Sequence, residues 1–168
     1  MKEHSAKHIT FRVTRVVVPA ERSYEQVIQA IEDLVGRVDY TILDRIIAEQ
    51  RPLEAVADAF VGSSTFMYLA KIDQGRILSL SGHHKKSTLY ILGNPLIGNQ
   101  MLDVTTAVGL YMPFRLCAYE DAEGQAFIAY DVPSTLVHQY DNEALPTLAH
   151  NFDEQLEKLA RMVTSKPR

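Results

Sequence analysis

The sequence predicts an α+β fold with a mainly antiparallel sheet and helices packed on one face, and three observations carry that prediction. The apolar residues change period along the chain in the order β-α-αα-β-β-β-α-β-β-α. Two short turn segments join neighbouring strands directly, as antiparallel pairs require. No repeat, low-complexity segment or linker interrupts the pattern, so residues 1–168 read as one domain with a helical hairpin inserted at 37–62.

The elements follow in order. "FRVTRVVVP", residues 11 to 19, is β-branched and stops at proline, which marks a strand. Ser23-Tyr24-Glu25-Gln26 is a capping-box pattern, and Val27, Ile28, Ile31, Leu34 and Val35 continue it at helical spacing up to Gly36. Ile42, Leu43, Ile46 and Ile47 form one apolar stripe. Pro52 then breaks the helix and opens a second with Leu53, Val56, Ala57 and Phe60. "TFMYLAKI" and "RILSLSG" read as strands around an Asp73-Gln74-Gly75 turn, in which Gly75 is suited to positive φ. "STLYILG" is the next strand, after the loop Gly82-His83-His84-Lys85-Lys86, and a helix starts near Pro95. "PFRLCAYE" and "QAFIAYDV" flank the turn Asp121-Ala122-Glu123-Gly124. Pro133-Ser134 opens a short helix or turn, and Leu148, Phe152, Leu156, Leu159 and Val163 line one side of a C-terminal helix.

The strands are apolar on both sides. Phe66, Tyr68 and Ala70 alternate with Met67 and Leu69, and Leu89 and Ile91 with Tyr90 and Leu92. Leu116 and Ala118 alternate with Cys117 and Tyr119, and Phe127 and Ala129 with Ile128 and Tyr130. A sheet with one wet face should carry polar residues at every second position. If helices shield one face, the other needs its own cover, because large exposed apolar patches are rare on monomers. The expectation is a homodimer.

Bulk properties exclude several function classes. A formal net charge of −4 and a Lys85-Lys86 pair as the only basic run argue against nucleic acid and anionic membrane as partners. A single cysteine, Cys117, excludes an internal disulfide and a cysteine-based zinc cluster. The opening "MKEHSAKHITFRV" has no apolar segment of signal-peptide length, and no stretch approaches the roughly 20 apolar residues of a membrane span. A soluble, cytoplasmic protein without a cofactor is expected.

Leu89 to Ser134, "LYILGNPLIGNQML…AVGLYMPFRLCAYEDAEGQAFIAYDVPS", resembles the uncharacterised family known as domain of unknown function 302. The matching pieces are Asn94-Pro95, Met112-Pro113, the acidic hairpin Glu120 to Gly124, and Asp131-Val132-Pro133. The resemblance extends more loosely to the first strand, first helix and last helix. It implies a compact α+β sandwich, often dimeric, with no agreed activity. It also implies cysteines just before Asn-Pro and just after the second motif's proline in many members; Gly93 and Phe114 stand there in this chain, without a thiol.

Among candidate site residues, Asn94 is a strong N-cap and Pro95 a favoured first helical residue, so the following N–H groups are either satisfied by Asn94 itself or placed to attract an acid. Arg115 is the second candidate anchor for an acidic group. Phe66, Tyr68, Tyr90 and Met112 are the candidate apolar wall, on the expectation that tyrosines from several strands converge on a cleft. His83 and His84, beside two lysines, are candidates for an anion-recruiting rim. The leading expectation is a homodimeric scaffold or binding protein for a small amphipathic or acidic molecule. The rivals are an enzyme with His83 or His84 as general base, and a metal-binding protein using either histidine with a carboxylate.

Overall fold

The structure, a computed structural model, describes residues 6–166; the first five residues of the opening stretch lie outside it. Six strands form one mixed, mostly antiparallel sheet in the order β1-β6-β5-β4-β3-β2. These are β1 (Arg15–Pro19), β2 (Gly36–Arg37), β3 (Met67–Asp73), β4 (Ser87–Gly93), β5 (Phe114–Glu120) and β6 (Ala126–Asp131). The helices are α1 (Tyr24–Leu34), α2 (Tyr40–Ala48), α3 (Glu54–Phe60), α4 (Gln74–Ser79), α5 (Pro95–Val104), α6 (Pro133–Val137) and α7 (Ala144–Thr164). A 3-10 turn spans Thr106–Leu110.

Pleating sorts the strand residues into two faces. On one face Thr88, Ala118 and Ile128 sit in one row across β4, β5 and β6, and Tyr90, Leu116 and Tyr130 in the next. All six are buried. α1 contributes Val27 and Ile31 to this core, and α7 contributes Phe152, Leu156 and Val163, each fully excluded from solvent. The two buried hydroxyls most at risk are satisfied: Tyr24 Oη lies 2.7 Å from Thr88 Oγ1, and Tyr90 Oη donates to Glu32 Oε1 at 3.3 Å. The family-like motif at Asp131-Val132-Pro133 is fixed to the same layer, because Asp153 on α7 accepts the Ser134 N–H at 2.9 Å.

The other face has an apolar centre, with Arg115, Asp131 and Arg15 as a charged row on one side of it. Ile72, Leu89, Cys117, Ala129 and Val17 form one row, and Tyr119, Phe127 and Pro19 sit beside it. Every one keeps contact with solvent, Val17 at 48% and Ile72 at 39%. Among the described residues, helices cover its far corner. There a β-bulge between Tyr68 and Ala70 marks β3, and the α2–α3 hairpin packs Val38, Ile46, Val56 and Phe60 around Met67.

Several expectations need correction. Residues 76 to 82 are not a strand: Asp73 accepts the Arg76 N–H at 2.8 Å and caps α4 instead of opening a hairpin. Gly75 is present for space, not for positive φ, since a Cβ there would lie 2.3 Å from the Lys85 carbonyl oxygen. The sixth strand is β2, two residues long, paired in parallel with β3. Gly36 therefore does not end α1 in the usual left-handed way. α1 stops at Leu34, Val35 is extended, and a Cβ on Gly36 would sit 1.7 Å from the Phe60 carbonyl oxygen. The first strand begins at Arg15, later than Phe11, whose ring meets Tyr111 edge-on at 6.2 Å.

Two measurements test this account. Gly36→Ala should destabilise the fold by about 3 kcal/mol in urea unfolding, the upper end for single substitutions, because backbone and not a flexible side chain must move. Burial, and next the charge of Glu32, raise the Tyr90 phenol above its ordinary 10.0. The folded state thus keeps a proton that the unfolded chain loses near pH 10. The stabilisation is intact below that pH and declines as pH rises further. Tyr90→Phe should flatten the alkaline decline in stability by up to one proton's slope.

Candidate functional site

The junction "LGNPLIG" starts a helix, and it does so with its own atoms. Asn94 Oδ1 accepts the Leu96 N–H at 2.9 Å and the Ile97 N–H at 3.3 Å. Its Nδ2 donates to the Thr65 carbonyl at 2.9 Å, tying α5 to the turn before β3. Thr65 holds φ +71, a left-handed conformation that is costly for a β-branched residue. The first-turn donors expected to attract an acid are therefore spent internally.

The same junction does wall a cavity. A cleft of about 250 Å³ lies between the start of α5, the β3 bulge and the loop before β5. Asn94, Pro95, Gly98 and Leu102 line it from the α5 side, and Met67 and Leu69 from β3. Met112 and Pro113, joined by a cis peptide bond, line it from the loop, and Leu53 and Phe152 close it further. Among the described residues no ionisable side chain lines it. Gly93 borders it too, with space for a Cβ 3.5 Å from Pro113 Cβ.

Of the residues singled out from sequence, only Asn94 and Met112 meet here. Phe66 is buried in the core, stacked on Phe152 with centroids 6.2 Å apart. Tyr90 is buried on the helix-covered face, and Tyr68 meets it edge-on at 5.6 Å. The tyrosines do not converge: Tyr130 faces the core, whereas Tyr119 stacks on Phe127 on the uncovered face. Arg115 is exposed on that uncovered face and lines a separate depression with Asp131. Asp131 is held there by both Arg15 Nε at 2.8 Å and Arg15 Nη2 at 3.1 Å. His83 and His84 are exposed in their loop and line neither hollow. Among the described residues no group of three or more His, Cys, Asp or Glu is placed to hold a metal ion. Cys117 is half-buried mid-strand on the uncovered face.

Sequence reasoning missed Gly98, Asn99, Leu102 and Leu53. Gly98 carried a readable signal: a glycine inside a helix, away from either cap, usually has a packing or functional reason.

A model of the family described as "Domain of unknown function DUF302" matches residues 53–163, well over half of the chain. The chain belongs to this family. The DUF302 match spans every element from α3 to α7 and all the residues of the cleft. The chain is also similar in fold to the crystal structure of an uncharacterised conserved DUF302 protein from Bacillus stearothermophilus. That match has a TM-score of 0.65 and 16% identity, and covers 89% of this chain and 97% of the other. No curated protein matches the chain. No helix among the described residues is long and apolar enough to cross a membrane.

Asn94→Ala should cost about 1–2 kcal/mol of stability through the lost N-cap. Asn94→Asp keeps the cap acceptor but turns a carboxylate oxygen toward the Thr65 carbonyl in place of the amide donor, so its thermal midpoint should fall below that of wild type.

Proposed function

We propose that the chain is a homodimeric binding protein, with two copies covering each other's open sheet face and the cleft beside α5 taking a small, largely apolar molecule. The observation that carries the binding half is the cleft itself: it gathers the Asn94-Pro95 and Met112-Pro113 motifs of the family around one apolar space. Small-molecule sites have this make-up, an apolar wall with a few placed polar groups.

The dimer half rests on the face opposite α1 and α7. Its central row from Ile72 to Val17 has no charged member, and exposed apolar residues continue beyond it on and after α4, with Ile77 at 61% and Leu80 at 88% exposure. Five strands at about 4.8 Å spacing and six residues deep at about 3.3 Å present roughly 24 by 20 Å before side-chain relief is counted. That flat extent, about 480 Å², is a little over half of the roughly 800 Å² each partner contributes to a standard interface, and side-chain relief adds to it. The charges at one edge suit a copy of the same surface. Arg15 and Asp131 are paired, while Arg115 has no acidic partner within 4.0 Å among the described residues, so a twofold mate offers Asp131 to Arg115 in both directions.

Native mass spectrometry of the purified protein tests both halves together. The expected mass is twice 18.9 kDa, with additional mass where a small molecule co-purifies. Val17→Glu places a charge in the apolar row of a side chain already exposed, so it should return the mass to one subunit while leaving helix content unchanged. A wild-type protein that stays at the single-subunit mass at micromolar concentration would remove the dimer.

A further inference from the structure

We infer that the cleft selects a compact neutral molecule, and that Gly98 is the residue setting its size, with the Asn99 carboxamide as the polar contact at the mouth. This inference rests on the cleft being a binding site, as proposed above, and adds what it binds.

Gly98 is the fourth residue of α5 and has an ordinary helical environment: its N–H donates to the Asn94 carbonyl at 2.9 Å. Its φ is not in the left-handed region, so conformation does not require glycine. Close approach does not require it either, because a Cβ built there meets nothing within 4 Å. Glycine is the poorest helix former after proline. A residue that weakens its own helix, serves no backbone need and faces empty space in an apolar cleft has one remaining consequence, which is the space.

The lining decides the charge. Aliphatic, thioether and aromatic groups surround the cleft, and the only polar side chains are the carboxamides of Asn94 and Asn99. Asn94 is committed to Leu96, Ile97 and Thr65. Asn99 is exposed and lines the cleft, with none of its carboxamide hydrogen bonds made within the described residues. An ion entering this space would leave water without a counter-charge, a large penalty. A neutral body with one hydroxyl or carbonyl directed at Asn99 meets no such penalty. Apolar cavities of about 150 Å³ accept benzene, so about 250 Å³ suits a substituted ring or a short branched chain.

The test compares benzyl alcohol with benzoate by calorimetry on the full chain at neutral pH, beside Gly98→Leu and Gly98→Ala. The alcohol should bind at least about tenfold more tightly than the carboxylate. Gly98→Leu should abolish alcohol binding while the thermal midpoint stays level or rises, because leucine favours the helix and fills the cleft. Gly98→Ala should raise the midpoint and weaken binding several-fold, which keeps the inference testable if leucine disturbs folding. Absence of heat from both ligands would overturn the cleft as a binding site altogether. Benzoate binding as tightly as the alcohol would overturn neutral selection alone. Alanine lowering the midpoint with binding unchanged would overturn the role of Gly98 and leave the other two standing.

Discussion

Strict alternation of side chains along a pleated strand is the constraint from which the rest of this structure follows. Four central and edge strands, β1, β4, β5 and β6, bring apolar residues to both sides of one sheet. The amphipathic helices α1 and α7 have one apolar stripe each and can shield one side. Their stripes go to the face carrying Tyr90, Leu116 and Ile128, where the large side chains interlock with Phe152 and Ile31. The remaining face is left with Leu89, Cys117, Ala129, Phe127 and Val17, side chains too apolar for a wetted sheet and too small to bury one another.

The α2–α3 hairpin solves this problem only locally. It closes over Met67 at the bulged corner, and it does so through backbone contact: Gly36 and Gly62 let the segment leaving α1 and the segment leaving α3 pass within a distance no Cβ allows. The bulge falls at Leu69, and Met67 and Leu69 both border the hairpin core and the cleft beside α5. The cleft is the space left where this small second core ends and α5 begins, kept open on the α5 side by Gly98. Its position is thus a consequence of where the sheet's second cover runs out.

Most of the architecture was legible because it rests on local signals with a physical mechanism. The capping box at Ser23, the cap at Asn94, the Asp121–Gly124 turn and the α7 stripe each specify their element within a few residues, and each forms as read. Two features were not legible. The Arg76–Gly82 segment has strand-like residues, but Asp73 caps a helix there, and the apolar residues Ile77 and Leu80 stay exposed, so their burial could not guide the reading. β2 is two residues long and exists only through its pairing with β3, a non-local contact that no window of sequence contains. The site divides similarly. Asn94 and Met112 are visible as caps and motifs and do meet, whereas the separation of Arg115 from them depends on pleat parity: it pairs opposite Ile91, on the side turned away from Tyr90 and Leu116. The four tyrosine strands are neighbours in the sheet, and pleat parity alone sends Tyr119 to the face away from Tyr90 and Tyr130.

Strand register also sets the surroundings of the two positions beside the proline motifs. Those positions are Gly93 and Phe114, at the ends of β4 and β5 beside the Met112-Pro113 loop. Gly93 does not hold glycine for want of room, since a Cβ there meets Pro113 at an ordinary contact distance. Phe114 instead turns inward and packs edge-on against Phe152 at 4.6 Å. One position has no side chain and the other belongs to the core. The thiol that this chain does carry, Cys117, sits on the opposite face, three residues along β5. Among the described residues the wall of the cleft carries no nucleophile, no ionisable group and no thiol. What such a wall distinguishes among ligands is shape and polarity, and those are the properties an aliphatic lining with one free carboxamide is able to read.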